Sequence, residues 1–205
     1  MVMSTVPERR LTPAEYLARE RKAEFKSEFY KGEMFAMAGA NARHNRICVN
    51  LIAGINAQAR AAGCQVFGSD MRVRVGDSGL YTYPDLSIPC GKVEFEDDYG
   101  DVLLNPCVIF EVLSKSTERR DRGWKFDKYC WLPSLVDYVL VSQDKRLIEH
   151  FIRQPGENWS LERLQDSAAL LKLATVDCRL SLSEIYRDVE IGPEEVVAPP
   201  SERAP

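Results

Sequence analysis

Glu111 interrupts an otherwise apolar run, Val108-Ile-Phe-Glu-Val-Leu. Such a run suits a strand covered on both faces. A carboxylate buried there costs several kcal/mol unless a cation or good hydrogen bonds compensate. Strand alternation puts Glu111 on the face of Ile109 and Leu113. Asp85 follows Pro84 at the head of a second apolar stretch, 26 residues before Glu111. Neighbouring strands lie about 4.8 Å apart, so two carboxylates at such positions can share one ion. Oxygen ligands of this kind suit Mg²⁺ or Mn²⁺. Taken alone, each has a plainer reading: Pro-Asp marks a turn, and a buried glutamate can pair with an arginine.

Cations follow in the next segment. Asp121, Lys125 and Tyr129 recur every four residues and share one face of a helix. Lys125 on that face can reach back over the carboxylate pair, to position a water or to neutralise charge on a phosphate. A solvated Asp121–Lys125 ion pair is the alternative. Lys115 competes for the same role from just beyond the strand end. From Lys115 to Lys128, six basic residues stand against three acidic ones. Lys115, Arg119, Arg120 and Arg122 are the candidates to hold a nucleic-acid backbone. His44 can contact a metal, a phosphate or a carboxylate, or be structural. Glu28 and Glu33 flank a hairpin where surface placement is the simpler expectation, although Glu28 could add an accessory carboxylate. His150 shows no partner and receives no role.

The elements that must position these residues follow from patterning. Thr12-Pro13 with Glu15 starts a short helix reaching about residue 21. Residues 28–37 form a hairpin turning at Lys31-Gly32. Residues 41–62 are the longest helix, with Asn41 as cap and Gly63 closing it. Ile47, Leu51, Ile55 and Ala59 make its apolar stripe, which Val49 and Ile52 widen. Three strands come next, over residues 65–75, 82–89 and 107–113, with 94–101 a solvated acidic loop. A helix opens at Ser116-Thr117 and stops near Trp131, before Pro133. Strands at 136–142, 147–153 and 159–165 follow, then a short helix within 180–188. This order predicts an α/β protein with a mixed sheet flanked by helices. One domain spans 11–190, and 191–205, rich in proline and acid, is a disordered tail.

The chain has 205 residues, 45% of them hydrophobic and 28% charged, which allows one sizeable core. Nothing in the sequence has the length and apolarity of a membrane span, and the N-terminus lacks a signal-peptide core, so a cytoplasmic protein without membrane association is expected. The net charge of −4 argues against non-specific nucleic-acid binding by the surface as a whole. The six cysteines show no Cys-x-x-Cys pair and no Cys/His cluster with zinc spacing, so reduced buried thiols are expected.

Pro84-Asp85 followed by Glu111 in the next strand resembles the PD-(D/E)XK nuclease superfamily, whose core runs helix, three strands, helix, strand. The chain is more closely similar to the Uma-type restriction-endonuclease-like family. Carrying that resemblance are Gly32-Glu-Met-Phe-Ala-Met-Ala-Gly, His44, Tyr83-Pro-Asp-Leu-Ser, Phe110-Glu-Val-Leu-Ser-Lys-Ser-Thr, Asp121, Lys125, Tyr129 and Val136-Asp-Tyr-Val-Leu-Val. It spans residues 11–186. It implies a Mg²⁺- or Mn²⁺-dependent endonuclease acting on DNA, with Asp85 and Glu111 as metal ligands and Lys125 as the third catalytic residue. His44, Glu28, Asp121 and Tyr129 would be accessory. Leu113 occupies the place of the superfamily lysine, and the resemblance moves that role to Lys125. A homodimer is implied by analogy, since two sites cut two strands. Two rival readings stand beside it: a nuclease fold that binds nucleic acid or regulates without cleaving, and a structural or protein-interaction domain with Glu111 in a salt bridge.

Overall fold

A computed structural model describes residues 10–191. The first helix, α1 (Pro13–Glu20), begins with a capping box. Thr12 Oγ1 accepts from the Glu15 amide, and the Glu15 carboxylate accepts from the Thr12 amide. The hairpin follows as β1 (Ser27–Tyr30) and β2 (Glu33–Ala36), joined through Lys31 and Gly32, both at positive φ. Helix α2 (Ala42–Ala61) is capped by Asn41, whose side chain accepts from the His44 amide. Its buried stripe is Ile47, Leu51, Ile55 and Ala59. Val49 is 56% exposed and Ile52 36%, so neither widens the stripe. Gly63 sits at φ 74° just past the helix, where a side chain would be strained.

The next stretch departs from the expected strands. Residues 65–75 break into β3 (Phe67–Gly68) and β4 (Arg72–Val75), which belong to different sheets. The alternation holds only from Asp70 to Val75, and the chain turns at Ser69-Asp70. Residues 82–89 likewise divide between β5 (Leu80–Thr82) and β6 (Leu86–Ile88), either side of Tyr83-Pro-Asp. The acidic loop carries specific pairs. Arg21 binds Asp97 and Asp101, and Arg74 binds Glu96. It leads into β7 (Val102–Leu103) and the central strand β8 (Val108–Leu113).

Helix α3 is composite: Glu118–Arg120 and Phe126–Tyr129 are α-helical and flank a π turn over Asp121–Lys125. Strands β9 (Asp137–Ser142), β10 (Ile148–Arg153) and β11 (Trp159–Leu164) come next. The sequence reading missed the hairpin of β12 (Leu170–Leu173) and β13 (Cys178–Ser181). The last helix, α4 (Leu182–Ile185), is capped by Ser181.

One sheet has the order β2-β1-β5-β4-β7, a second β11-β10-β9-β8-β6-β3, and β12 and β13 form a third. Strand β8 lies between antiparallel β6 and parallel β9, and α3 makes the crossover from β8 to β9. One core joins the α2 stripe to Val108, Phe110 and Val112 and to the C-terminal hairpin. The other joins Ile109 and Leu113 to Tyr129, Leu132, Tyr138 and Leu140. The expected mixed α/β architecture is the one found. Among the described residues, no helix is long and apolar enough to cross a membrane. The tail, 191–205, lies outside the described residues except for Ile191.

The cysteine expectation needs one correction. Cys64 and Cys90 form a disulfide. An isolated antiparallel bridge brings the end of α2 against the segment after β6, with the two Cα atoms 4.0 Å apart. The pairing depends on this long-range contact. Cys48, Cys107, Cys130 and Cys178 are free thiols.

Candidate functional site

Strand register brings the two carboxylates together. Leu86 faces Phe110 across the antiparallel β6–β8 pair, so Asp85 and Glu111 occupy the next rung. Asp85 Oδ2 accepts from the Val112 amide at 2.7 Å, which fixes the carboxylate where the strand pairing opens. His44 Nε2 lies 3.2 Å from the same oxygen.

Glu111 is buried, and Lys125 Nζ and Tyr129 Oη both donate to its Oε1, at 3.0 and 2.8 Å. These donors come from α3, as the four-residue spacing requires. Lys125 Nζ also lies 3.6 Å from Asp121 Oδ1. The π turn widens this part of the helix, and the Asp121 carbonyl accepts from Tyr138 Oη at 3.0 Å. Single π turns inside α-helices often mark functional sites. The solvated Asp121–Lys125 pair is therefore excluded: both residues are buried. Leu113, at the usual lysine position, packs into the apolar core. Lys115 is exposed beyond the strand end.

Glu28 completes the cluster, contrary to its expected surface placement. Strand β1 pairs with β5, Phe29 opposite Tyr81, and this turns Glu28 inward. Its Oε1 accepts from Thr82 and lies 3.1 Å from Lys125 Nζ, while its Oε2 pairs with Arg120 at 2.6 Å. Glu33 is exposed.

The cluster is short of positive charge. Asp85, Glu111, Asp121 and Glu28 stand against Lys125 and Arg120, leaving two negative charges unbalanced if all ionise. Burial pushes the Glu111 carboxyl up to about 8; Lys125 pulls it down, and Asp121 and Asp85 push it further up. Burial also raises Asp121, with Asp85 and Glu28 adding to the shift against the pull of Lys125. Burial acts upward on Glu28 too, but Lys125, the Thr82 hydrogen bond and Arg120 outweigh it and hold Glu28 below the usual carboxylate range. Burial disfavours the Lys125 ammonium, yet Glu111, Glu28 and Asp121 lift its pKa well above the ordinary lysine value. Lys125 therefore keeps its proton, and any further proton in the cluster sits on the carboxyl groups of Glu111 or Asp121. A bound divalent cation would supply the missing charge, and the oxygen donors of Asp85 and Glu111 fit a hard ion.

Accessibility grades across the site. The Glu111 and Lys125 side chains are 6% and 7% exposed, whereas Asp85 and His44 are 15% and 16%. Asp85 and His44 thus form the open edge, and Glu111 and Lys125 the floor. Cys48 was missed by sequence reasoning. One helical turn after His44, its Sγ lies 3.6 Å from His44 Nδ1. His44, Cys48 and Asp85 each offer a ligand atom within 4.8 Å of the others. The signal in the sequence is the i, i+4 spacing of His44 and Cys48 on one helix.

Of the basic residues proposed for nucleic acid, Arg119 and Lys115 are exposed, and Arg120 reaches inward to Glu28. Arg120 also lies over Trp124, 4.9 Å from the ring centre. Arg122 is committed elsewhere, between Glu118 and Glu149, so its expected phosphate role is withdrawn. His150 gains the partner that the sequence did not show: its Nε2 lies 2.7 Å from Asp137, and the ring is fully buried.

The order of strands with a crossover helix from β8 to β9 is that of a restriction-endonuclease-like fold. A crystal structure from Anabaena variabilis, described as that of "a putative nuclease", superposes with a TM-score of 0.70 at 18% identity, covering 86% of this chain and 97% of that one. Residues 13–183 match the model of the Uma2 family, described as "Putative restriction endonuclease", and the chain belongs to that family. Two relatives from Synechocystis sp. extend the match. The uncharacterized protein sll1609 is 36% identical over 164 residues, 80% of this chain and 93% of the relative. The uncharacterized protein slr1290 is 31% identical over 183 residues, 89% of this chain and 95% of the relative.

Proposed function

We propose that the protein is a metal-dependent endonuclease that hydrolyses phosphodiester bonds in DNA. The observation that carries this reading is the buried cluster itself. Lys125 bonds Glu111, register sets Asp85 beside Glu111, and full ionisation of the four carboxyls would leave two negative charges for a cation to balance. Asp85 and Glu111 would hold Mg²⁺ or Mn²⁺, which when bound polarises a phosphate and lowers the pKa of a coordinated water. The Val112 amide orients Asp85, and Tyr129 orients Glu111. Lys125 keeps an ammonium beside the carboxylates, where negative charge grows on the attacked phosphate. Glu28 and Asp121 keep that ammonium charged and in place. His44 borders the open edge, where a strand would enter. Lys115 and Arg119 supply attraction for the backbone near the start of α3. The family description supports DNA as the substrate, and a homodimer would bring two copies of the site to two strands.

Plasmid cleavage tests the reading. The wild type should nick or linearise supercoiled DNA with Mg²⁺ or Mn²⁺ and not with a chelator. Glu111→Gln and Lys125→Met should each reduce the rate at least about 100-fold, the scale typical of losing one charge-stabilising group. Equal cleavage by Glu111→Gln would refute the assignment. Absence of cleavage by the wild type on supercoiled, single-stranded and branched DNA alike would instead favour a binding module on a nuclease fold.

A further inference from the structure

We propose that His44, Cys48 and Asp85 form a sulfur-containing centre that takes a thiophilic divalent cation of the zinc type. This inference rests on the metal-site reading above and sharpens it, because oxygen donors alone would favour Mg²⁺. Three different ligand chemistries converge here from two elements. His44 and Cys48 project one turn apart from the first half of α2, and Asp85 comes from the head of β6. Their ligand atoms all lie within 4.8 Å of one another.

His44 Nε2 to Asp85 Oδ2 is 3.2 Å, close to the roughly 3.3 Å between neighbouring N and O ligands of a four-coordinate zinc ion. Cys48 Sγ lies 3.6 Å from the other ring nitrogen, Nδ1, and one ligand atom from each of the three residues falls within 4.8 Å of the others. Only one ring nitrogen can bind the ion, and the other then donates to a neighbouring acceptor. All three side chains are half-buried, so an ion can enter while the protein still shapes its surroundings. Glu111 lies close enough for its charge to act on the Cys48 thiol, as does that of Asp85. Burial is the main cause that holds the Cys48 thiol protonated in the ion-free protein, with Asp85 and Glu111 adding to it. On binding, the thiol proton leaves to solvent and the sulfur lone pair forms the metal bond, with no change of oxidation state. Thiolate and imidazole favour Zn²⁺ and Co²⁺ over Mg²⁺, so Cys48 would set the ion preference of the site.

Cobalt spectroscopy on chelator-stripped full-length protein tests the proposal. Co²⁺ should produce a near-ultraviolet sulfur-to-cobalt charge-transfer band in the wild type, absent in Cys48→Ser and Cys48→Ala. The other free cysteines are unchanged in both variants and serve as the internal control. In calorimetry, the preference for Zn²⁺ over Mg²⁺ should fall at least tenfold in both variants. Circular dichroism should show both variants folded; if one is not, the other decides. A band that persists without Cys48, or an unchanged preference, overturns the inference. If Mg²⁺ or Mn²⁺ binds but no sulfur band forms, the sulfur centre fails and the nuclease reading stands. If no divalent ion binds at all, both fail.

Discussion

The two faces of β8 belong to the same six residues and have opposite characters. Val108, Phe110 and Val112 point toward α2 into a mainly aliphatic core, and the buried acid beside them, Asp137 opposite Val108, is paired with His150 and Thr175. Ile109, Glu111 and Leu113 point toward α3, where Lys125, Tyr129 and Tyr138 lie among equally buried apolar neighbours. Both faces are shielded from water, so exposure does not explain the difference. The first face gains stability from every atom it buries. The second holds a carboxylate whose ionisation burial opposes, with one lysine shared among three acids. A strand that serves only packing has no need of Glu111, and its placement beside Asp85 is what supports the proposed ion site. The two His–Asp pairs repeat the contrast. His150–Asp137 is sealed in the interior and tied to Thr175, whereas His44–Asp85 stands at an opening.

The comparison can be broken most severely on the packing face. Phe110→Ala should destabilise the protein by about 3–5 kcal/mol, the usual result of emptying a buried aromatic site, as read by urea denaturation. A loss under 1 kcal/mol would mean that this face is not the rigid support. The polar face should respond to pH. The Glu111 pKa is raised in the folded state to about 8, so its neutral form is favoured, and its contribution is present below about 4.5 and lost as pH rises through about 8. Without added metal, the wild type should lose roughly 2–4 kcal/mol relative to Glu111→Gln between pH 5 and pH 8.5. Parallel pH profiles for the two proteins would contradict the assigned cause. Tyr129→Phe is the smallest change. Removing one hydroxyl that donates to Glu111 should cost about 1–2 kcal/mol and raise the Glu111 pKa further, measurable by carbonyl NMR titration. No shift in that titration would show that the hydroxyl does not act on Glu111.

Much of this was legible in the sequence, for local reasons. Glu111 was conspicuous because an isolated charge in an apolar strand demands a partner, and Lys125 because helical spacing fixes one face. The Asn41 and Thr12 caps were legible because capping is a contact between residues three apart. Glu28 was not, since its burial depends on β1 pairing with a strand some fifty residues later. The Cys64–Cys90 bond is a long-range contact of the same kind. Asp70 to Val75 alternate, and the pattern extended back to Gln65 reads as one strand, yet the chain changes sheets at Ser69-Asp70, and periodicity carries no record of which sheet a strand joins. Val49 and Ile52 were assigned to the stripe of α2 because they are apolar, but they sit on its outer flank. Arg122 was placed on DNA by its charge alone, and Glu149 of β10 already holds it.

The central claim is that the Asp85–Glu111 cluster needs a divalent cation to balance it. The most direct test is calorimetric titration of Mn²⁺ and Mg²⁺ into chelator-stripped wild type and Glu111→Ala at pH 7. The account predicts binding by the wild type with proton release, stronger as pH rises toward 8, and its loss in the variant. No binding by the wild type at millimolar ion, with or without DNA present, would contradict it and leave Glu111 as one end of a structural salt bridge.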